Sequence, residues 1–323
     1  MIALTPKQEP LIGVIVLNWN NPMDTIRCLR SIENSNYSNY QVLVIDNGSE
    51  DDSLDQLHIA YPDLKILETG QNLGYSGGNN VGISYAIEQG VDYVMILNND
   101  TLVAPSMLHK LISAAENFPH AGLVGPLMYS LESPSILFAA GSFIDWKRGK
   151  TWHRFMFQPA SGIMESLETQ PVDFIAGCCM LISRSAIEKV GLLSPSYYLN
   201  YEDVDFALKI KTAGLSVLFV PEAIMWHKIS ATLDKLPLVN IYYITRNSLY
   251  FFNKYTPGLN KYIAVSNIIL RNMRTILAWS LLPKYKQQEK TNDKLAILLG
   301  MRDFFLGRSG IMGEDVAKLC HMR

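Results

Sequence analysis

The chain has 323 residues, 48% of them hydrophobic, and a formal net charge of −2 at neutral pH. That apolar content over that length buries a sizeable core in one large domain or two, which excludes a disordered chain, and a net acidic N-terminal part without a traceable basic face argues against nucleic-acid binding. Cys28, Cys178, Cys179 and Cys320 show neither ligand-pair spacing nor a disulfide framework, so buried thiols in a reducing compartment are expected.

The opening segment, Met1 to Pro10, lacks the apolar run of a secretory signal and points to a cytoplasmic protein. Ile12 to Leu17 is a continuous apolar run, followed by Asn21-Pro22 as N-cap and first residue of a helix to about Ser35. Tyr40 to Ile45, Leu64 to Leu67, Tyr93 to Leu97 and Leu123 to Leu127 are further apolar runs, mostly separated by helix-patterned segments; one helix starts near Ser76 and stops at Gly90, the next runs from Pro105 to about Asn117. This alternation predicts parallel strands in a doubly wound sheet. After Met128 it lapses into Ser/Pro/Gly-rich connections with strand-like pieces at Ile136 to Phe143 and Cys179 to Ser183, a region expected to form the acceptor side. A helix from Glu202 to Ala213, closed by Gly214, precedes a strand from Ser216 that ends at Pro221, and from Leu238 two or three amphipathic helices break at Pro257 and Pro283. Tyr262 to Leu282 is the most apolar long stretch, but Asn267, Arg271, Asn272 and Arg274 interrupt it, which argues against a membrane span.

Four polar clusters fall where strands end, the edge at which an open α/β sheet binds ligands. Asp46-Asn47-Gly48-Ser49 is a turn whose carboxylate accepts hydrogen bonds from a base or ribose, or merely caps an Asx-turn. Asn72 to Gly78 has neither G-x-G-x-x-G nor a P-loop ending; it offers close backbone approach and free amides at a helix N-terminus, or an ordinary tight turn. Asn98-Asn99-Asp100 supplies hard oxygen donors of the kind that Mg²⁺ or Mn²⁺ on a nucleotide diphosphate prefers. Glu202-Asp203 places carboxylates at a helix start, where one serves as a base while its neighbour orients the site, with Asp205 in support; His227 is a candidate metal ligand.

Together these pieces resemble the family-2 glycosyltransferases of the GT-A fold across roughly residues 10 to 255. Val14 to Asn20, with Asn18 and Asn20, looks like the family's first strand and base-contacting loop; Val44 to Ser49, with Asp46, Asn47 and Gly48, looks like its second. Asn72, Gly74 and Ser76, then Gly77, Asn80 and Gly82, follow the next segment, and Asn98-Asn99-Asp100 occupies the place of the Asp-x-Asp metal motif with Asn98 for its first Asp. The resemblance implies an α/β fold of GT-A type: a mainly parallel Rossmann-like sheet flanked by helices over residues 1–235, with the nucleotide part at about 10–128 and the acceptor part at about 129–235, then a helical extension over 236–323. It implies a nucleoside-diphosphate sugar donor, a glycan or lipid-linked saccharide acceptor, Mg²⁺ or Mn²⁺ as cofactor, and inversion by direct displacement. Asp100 then meets the metal, Asp203 is the base with Glu202 beside it, and His227 reaches the metal or the diphosphate. Gly177-Cys178-Cys179-Met180 and Tyr242 to Asn247 look like the branch containing bacterial rhamnosyltransferases, which favours dTDP-L-rhamnose and cell-surface polysaccharide synthesis.

Trp152, Cys178 and Arg246 are the acceptor-side candidates, Arg246 as a clamp on an acceptor phosphate, although aromatic core packing is the first expectation for the tryptophan. Lys254 to Arg308 holds ten Lys/Arg against three Asp/Glu, so the C-terminal helices offer a surface to a membrane bearing a lipid-diphosphate acceptor, to a second subunit, or only to solvent. Two rivals are a sugar-1-phosphate nucleotidyltransferase, against which Leu17 to Asn21 has neither glycine nor base, and a catalytically silent carbohydrate- or lipid-binding scaffold of the same fold.

Overall fold

A computed structural model describes residues 9–228, 237–282 and 290–321. The first strand, β1 (Ile12–Asn18), is buried along nearly its whole length, which is why it reads as an uninterrupted apolar run. Helix α1 (Pro22–Glu33) leads to β2 (Tyr40–Asp46), α2 (Ser53–Ala60) to β3 (Lys65–Glu68), and α3 (Gly74–Glu88) to β4 (Tyr93–Asn98). β1 lies between β2 and β4, and β3 pairs with β2, all parallel. Register then puts Asn18 opposite Asp46 and Leu17 opposite Asn98, so the polar residues that end these strands share one sheet edge.

The short β5 (Thr101–Val103) follows β4 directly, and α4 (Met107–Asn117) begins two residues after Pro105, because Ala104 to Met107 close a turn through Met107 N–H to Ala104 O at 2.9 Å. Helix α3 likewise begins at Gly74, earlier than the expected Ser76. β6 (Ala121–Ser130) is followed by β7 (Leu137–Ala139), which pairs with it, and by the separate hairpin of β8 (Ser142–Asp145) and β9 (Lys150–His153). The single strand expected over Ile136 to Phe143 is thus broken, at Gly141, whose φ of +84° turns the chain away.

After the edge strand β10 (Gln170–Pro171), β11 (Cys179–Ser183) inserts antiparallel between β4 and β6, which makes the sheet mixed. A five-residue apolar run carries no signal of its direction. The consequence matters: an antiparallel β11 starts at the edge where β4 ends, so Cys179 faces Leu97 and Gly177-Cys178 lie beside Asn98-Asn99-Asp100. Helices α5 (Arg184–Val190) and α6 (Glu202–Thr212) precede β12 (Ser216–His227), which continues through Pro221 where a stop was expected. A register shift against β6 between Val220 and Ile224 accommodates the proline as a bulge. The longer strand carries His227 to the level of Thr101 and Ser130.

The C-terminal helices are α7 (Pro237–Tyr255), α8 (Asn260–Leu281), α9 (Thr291–Phe305) and α10 (Glu314–His321). Leu249, Phe251 and Phe252 of α7 join the core built on the sheet, whereas Leu238, Tyr242 and Tyr243 pack with Ala296 and Val316 in a second cluster. The break at Pro257 is present; the one at Pro283, the domain boundary at residues 235/236 and most of the N-terminal segment lie outside the described residues. Among the described residues no helix is long and apolar enough to cross a membrane.

Candidate active site

At the carboxyl ends of β1 and β2 the polar side chains first satisfy one another. Asp46, almost fully buried, accepts from Asn18 Nδ2 (2.9 Å), Ser49 Oγ (2.6 Å) and Ser49 N–H (3.0 Å). Asn18 in turn accepts from Thr25 Oγ at 2.7 Å. A carboxylate accepts about four hydrogen bonds, so Asp46 both shapes this loop and keeps one acceptor position for a base or ribose. Asn20 (φ +50°) accepts from Glu50 N–H at 2.8 Å, and between these asparagines Trp19 remains exposed.

The glycine-rich segment is tied down in the same way. Leu73 N–H donates to Asn47 Oδ1 (3.0 Å), Gly74 N–H to Asn72 Oδ1 (2.8 Å), and Tyr75 and Ser76 N–H to Tyr198 O (2.8 and 3.4 Å). The expectation of free amides at this helix start is therefore corrected: protein acceptors cap them, as orphan first-turn donors require. Gly74 is at φ +72°, and a Cβ there would sit 2.6 Å from Tyr198 O; one at Gly48 (φ +72°) would strike the Gln71 backbone at 2.5 Å, and one at Gly77 would lie 2.7 Å from Leu73 Cβ. Asn80 clamps Leu193 through its N–H and C=O (3.0 and 2.9 Å), while the Ser76 hydroxyl is buried without a partner among the described residues.

At the end of β4 the roles of adjacent residues separate. Asn99 Nδ2 donates to Thr25 Oγ (2.9 Å) and Asn21 O (3.3 Å), bracing α1. Asn98 is held through its backbone, its N–H donating to Cys178 O at 3.0 Å. Asp100, 6% exposed, and His227, on β12, bring Oδ1 and Nε2 to 3.3 Å, yet Asp100 Oδ1 and both ring nitrogens of His227 are buried without a hydrogen bond among the described residues. Buried polar atoms so left are costly, which makes this pair a pre-shaped set of oxygen and nitrogen donors. Among the described residues no group of three or more His, Cys, Asp or Glu is disposed to hold a metal by protein ligands alone.

The second carboxylate centre starts α6. Asp203 Oδ2 accepts from Gly177 N–H (2.9 Å) and Oδ1 from Val204 N–H (2.8 Å). Burial pushes its carboxyl up to about 6, against the pull of these amides. Burial, and then the charge of Asp203, push Glu202 well above the usual carboxylate range, and Glu202 Oε2 has no partner among the described residues. The Tyr75 hydroxyl donates to Gly177 O, so the residue whose amide holds Asp203 is itself fixed from α3. Cys178 sits between the two centres: burial raises its thiol, and the charges of both Asp100 and Asp203 raise it further.

The Glycosyl transferase family 2 model matches residues 13–191, more than half of the chain. The chain belongs to this family. An N-acetylglucosaminyl-diphospho-decaprenol L-rhamnosyltransferase of Mycobacterium tuberculosis is 28% identical over 242 residues, covering 69% of this chain and 78% of its own. A dTDP-rhamnosyl transferase RfbF of Shigella flexneri is 21% identical over 259 residues, covering 75% and 80%. In fold the chain is similar to the mannosyltransferase PcManGT of Pyrobaculum calidifontis, solved with GDP-Man and Mn²⁺, at a TM-score of 0.56 and 15% identity, covering 94% of this chain and 89% of that one. This member of family 2 is thus a nucleotide-sugar glycosyltransferase with a GT-A fold.

The acceptor-side candidates of this glycosyltransferase fall in different places. Trp152, 44% exposed, stacks on Phe143 (5.0 Å, 28°) in the β8–β9 hairpin. Cys178 is buried with Sγ against Met128 Sδ at 3.4 Å, an apolar setting that keeps the thiol protonated. Arg246 is buried in α7, donating to Asn247 Oδ1 (3.0 Å), Tyr242 OH (3.3 Å) and the Ser196 and Tyr197 carbonyls (3.4 and 3.3 Å). The acceptor clamp expected of Arg246 is thereby corrected to an internal tie. Its neighbour Asn247 does more: Nδ2 donates to Tyr197 O (2.9 Å), Leu199 O (2.8 Å) and Asn200 O (2.9 Å), gathering the loop that delivers Glu202 and Asp203. In that loop Tyr198, Asn200 and Tyr201 have φ of +62°, +65° and +74°. Neither Asn247 nor the Tyr75–Gly177 tie was assigned from sequence, because both act through backbone carbonyls far away in the chain. Asp205, assigned support, is buried and accepts from Lys254 Nζ (2.8 Å), Tyr255 OH (2.7 Å) and Tyr197 OH (3.1 Å), joining α6 to α7.

Proposed function

We propose that this glycosyltransferase moves a sugar, best matched by dTDP-L-rhamnose, to a hydroxyl of a glycan or lipid-linked saccharide, with inversion in a single in-line displacement. The observation that carries the reading is the half-buried Asp203 carboxylate, pushed up to about 6 and held by the Gly177 amide, beside the turn after β4 that bears Asp100. Asp203 takes the proton of the attacking hydroxyl; each oxygen already accepts one amide, which fixes the carboxylate and leaves capacity for the substrate. A base titrating near 6 is ionised at neutral pH and stronger than an unperturbed aspartate. Beside it, burial and the Asp203 charge push the Glu202 carboxyl well above the usual carboxylate range, towards its neutral form.

Asp100 and His227 fit a divalent cation, Mg²⁺ or Mn²⁺, because their facing atoms are buried and unpartnered. Two protein donors leave the rest of the coordination shell to diphosphate oxygens and water, as such cations on nucleotides prefer. When bound, the cation supplies charge stabilisation to the departing nucleoside diphosphate. Asn98 completes the rim of this site as a neutral donor, and the exposed Trp19 indole beside Asn20 offers a face for the base. The donor assignment is supported by the rhamnosyltransferase relatives, one of which carries dTDP-rhamnosyl in its name. We place the enzyme on the cytoplasmic side, where nucleotide sugars are available.

Titration with dTDP, UDP and GDP, with and without Mn²⁺, tests this reading, followed by transfer from the sugar nucleotide of whichever binds. Mn²⁺-dependent binding with preference for dTDP is expected. Failure of all three to bind would leave a silent scaffold of the same fold as the better account, and pyrophosphate release from a nucleoside triphosphate would favour a nucleotidyltransferase.

A further inference from the structure

We propose that the outward face of α8 is a docking surface for an anionic lipid bilayer. Helix α8 packs on the body of the protein through one side, and near its end Lys294 Nζ of α9 donates to Ser280 Oγ at 3.3 Å. Ala264 and Ile268 are its buried residues, Asn267 Nδ2 donates to Lys147 O (2.9 Å), and Arg271 donates to Arg148 O and Gly149 O (3.3 and 3.0 Å). An ordinary surface helix would then turn polar residues to solvent. This one does the reverse.

Tyr262, Ile263, Leu270, Met273, Leu277 and Leu281 are all exposed, at 61%, 47%, 51%, 40%, 53% and 70%. At 3.6 residues per turn they fall within an arc of roughly 100°, centred opposite Ala264 and Ile268. Scattered exposed apolar residues need no explanation, but six large ones on one face of one helix, with only the small Ser266 and Ser280 exposed among them, mark an interaction surface. The helix contains no acidic residue. Along one flank of the stripe Arg271 and Arg274 join Arg148 and Lys150 of the β8–β9 hairpin in a single groove. An apolar ridge with a cationic border matches the acyl boundary and headgroups of an anionic leaflet.

The same charge pattern argues against a second copy as the occupant. A two-fold interface is self-complementary, so it would bring the like-charged flanks of two helices towards one another. The helix is too polar to span, in keeping with the absence of a spanning helix among the described residues, and lies in the interface plane. The inference concerns a surface apart from the carboxylate centres and stands independently of the proposed donor and acceptor.

The test is co-sedimentation of the full chain with vesicles of phosphatidylcholine alone or mixed with phosphatidylglycerol. Binding to the mixed vesicles, weakened by salt, is expected. L270S/L277S should lose at least roughly tenfold in partitioning, since two exposed leucines leave the bilayer. R148Q/K150Q/R274Q should lose roughly five-fold per charge on the mixed vesicles, and little on neutral ones. All these side chains are solvent-exposed, so the thermal midpoints should match wild type. Failure of wild type to bind mixed vesicles, or equal binding by the leucine variant, would overturn the proposal. So would a dimer in light scattering that the leucine variant converts to monomer without any vesicle binding by wild type.

Discussion

Asn247→Ala removes a side chain that touches no substrate in this account and is nevertheless expected to cripple turnover. Its amide holds three carbonyls of the loop before α6, at 2.8 to 2.9 Å. The amide has two N–H donors for these three carbonyls, one of them shared, so at about 1 kcal/mol net per hydrogen bond the ties sum to ~2 kcal/mol; water replaces part of them at the half-buried Leu199 and Asn200, so a loss of about 1–2 kcal/mol is expected in urea unfolding. The released loop also has reason to move, because left-handed backbone at non-glycine residues such as Tyr198, Asn200 and Tyr201 costs ~1–3 kcal/mol each. Asp203 follows directly, and a displacement of ~1 Å at a reacting group costs roughly 10²-fold in turnover. The assay is kcat with saturating donor, together with its pH profile. As the loop opens, water reaches Asp203 and the acid limb near 6 should move down towards the ordinary carboxylate range. Stability lost as expected, with kcat within threefold of wild type and an unmoved limb, would refute a positioning role.

In the wild-type enzyme kcat/KM should fall about tenfold per pH unit below about 6, as Asp203 takes up a proton; a profile flat down to pH 4 would remove it as base. The same titration has a stability signature of opposite sign. The folded carboxyl binds its proton up to about 6, whereas the unfolded one releases it near 3.8, so its favourable contribution is complete below 3.8 and lost as pH rises through 6. Asp203→Asn should therefore unfold later than wild type at pH 8, by about 2 kcal/mol after discounting the ~3 kcal/mol full shift for partial exposure, and the difference should vanish near pH 4. Asp100→Ala should abolish the Mn²⁺ dependence of nucleotide binding while leaving the weaker metal-free affinity in place; an unaltered Mn²⁺ titration would contradict the role given to Asp100 and His227.

The strand ends were legible because parallel strands buried on both faces leave uninterrupted apolar runs, and Asp46, Asp100 and Glu202-Asp203 follow their runs or open a helix directly. What the runs do not carry is direction and partner. β11 reads the same in either orientation, yet its antiparallel insertion brings Gly177 to Asp203. Pro221 reads as a stop, and only the register shift against β6 shows the strand passing through it to present His227 beside Asp100. The glycine-rich segment misled for a related reason: a sequence shows which backbone amides a helix start leaves free, but Asn47, Asn72 and the Tyr198 carbonyl, the last from far along the chain, take them in the folded chain. Arg246 and Asn247 lie in a legible helix, but a buried guanidinium and a buried amide look like any polar pair until their carbonyl partners are known.

The claim that Asp203 is the base in nucleotide-sugar transfer is tested most directly by Asp203→Asn in the presence of a measured donor affinity. Donor binding within about twofold of wild type is expected, with turnover down roughly 10²–10⁴, the usual weight of a general base. Turnover within threefold of wild type, in a variant that binds donor normally, would contradict it.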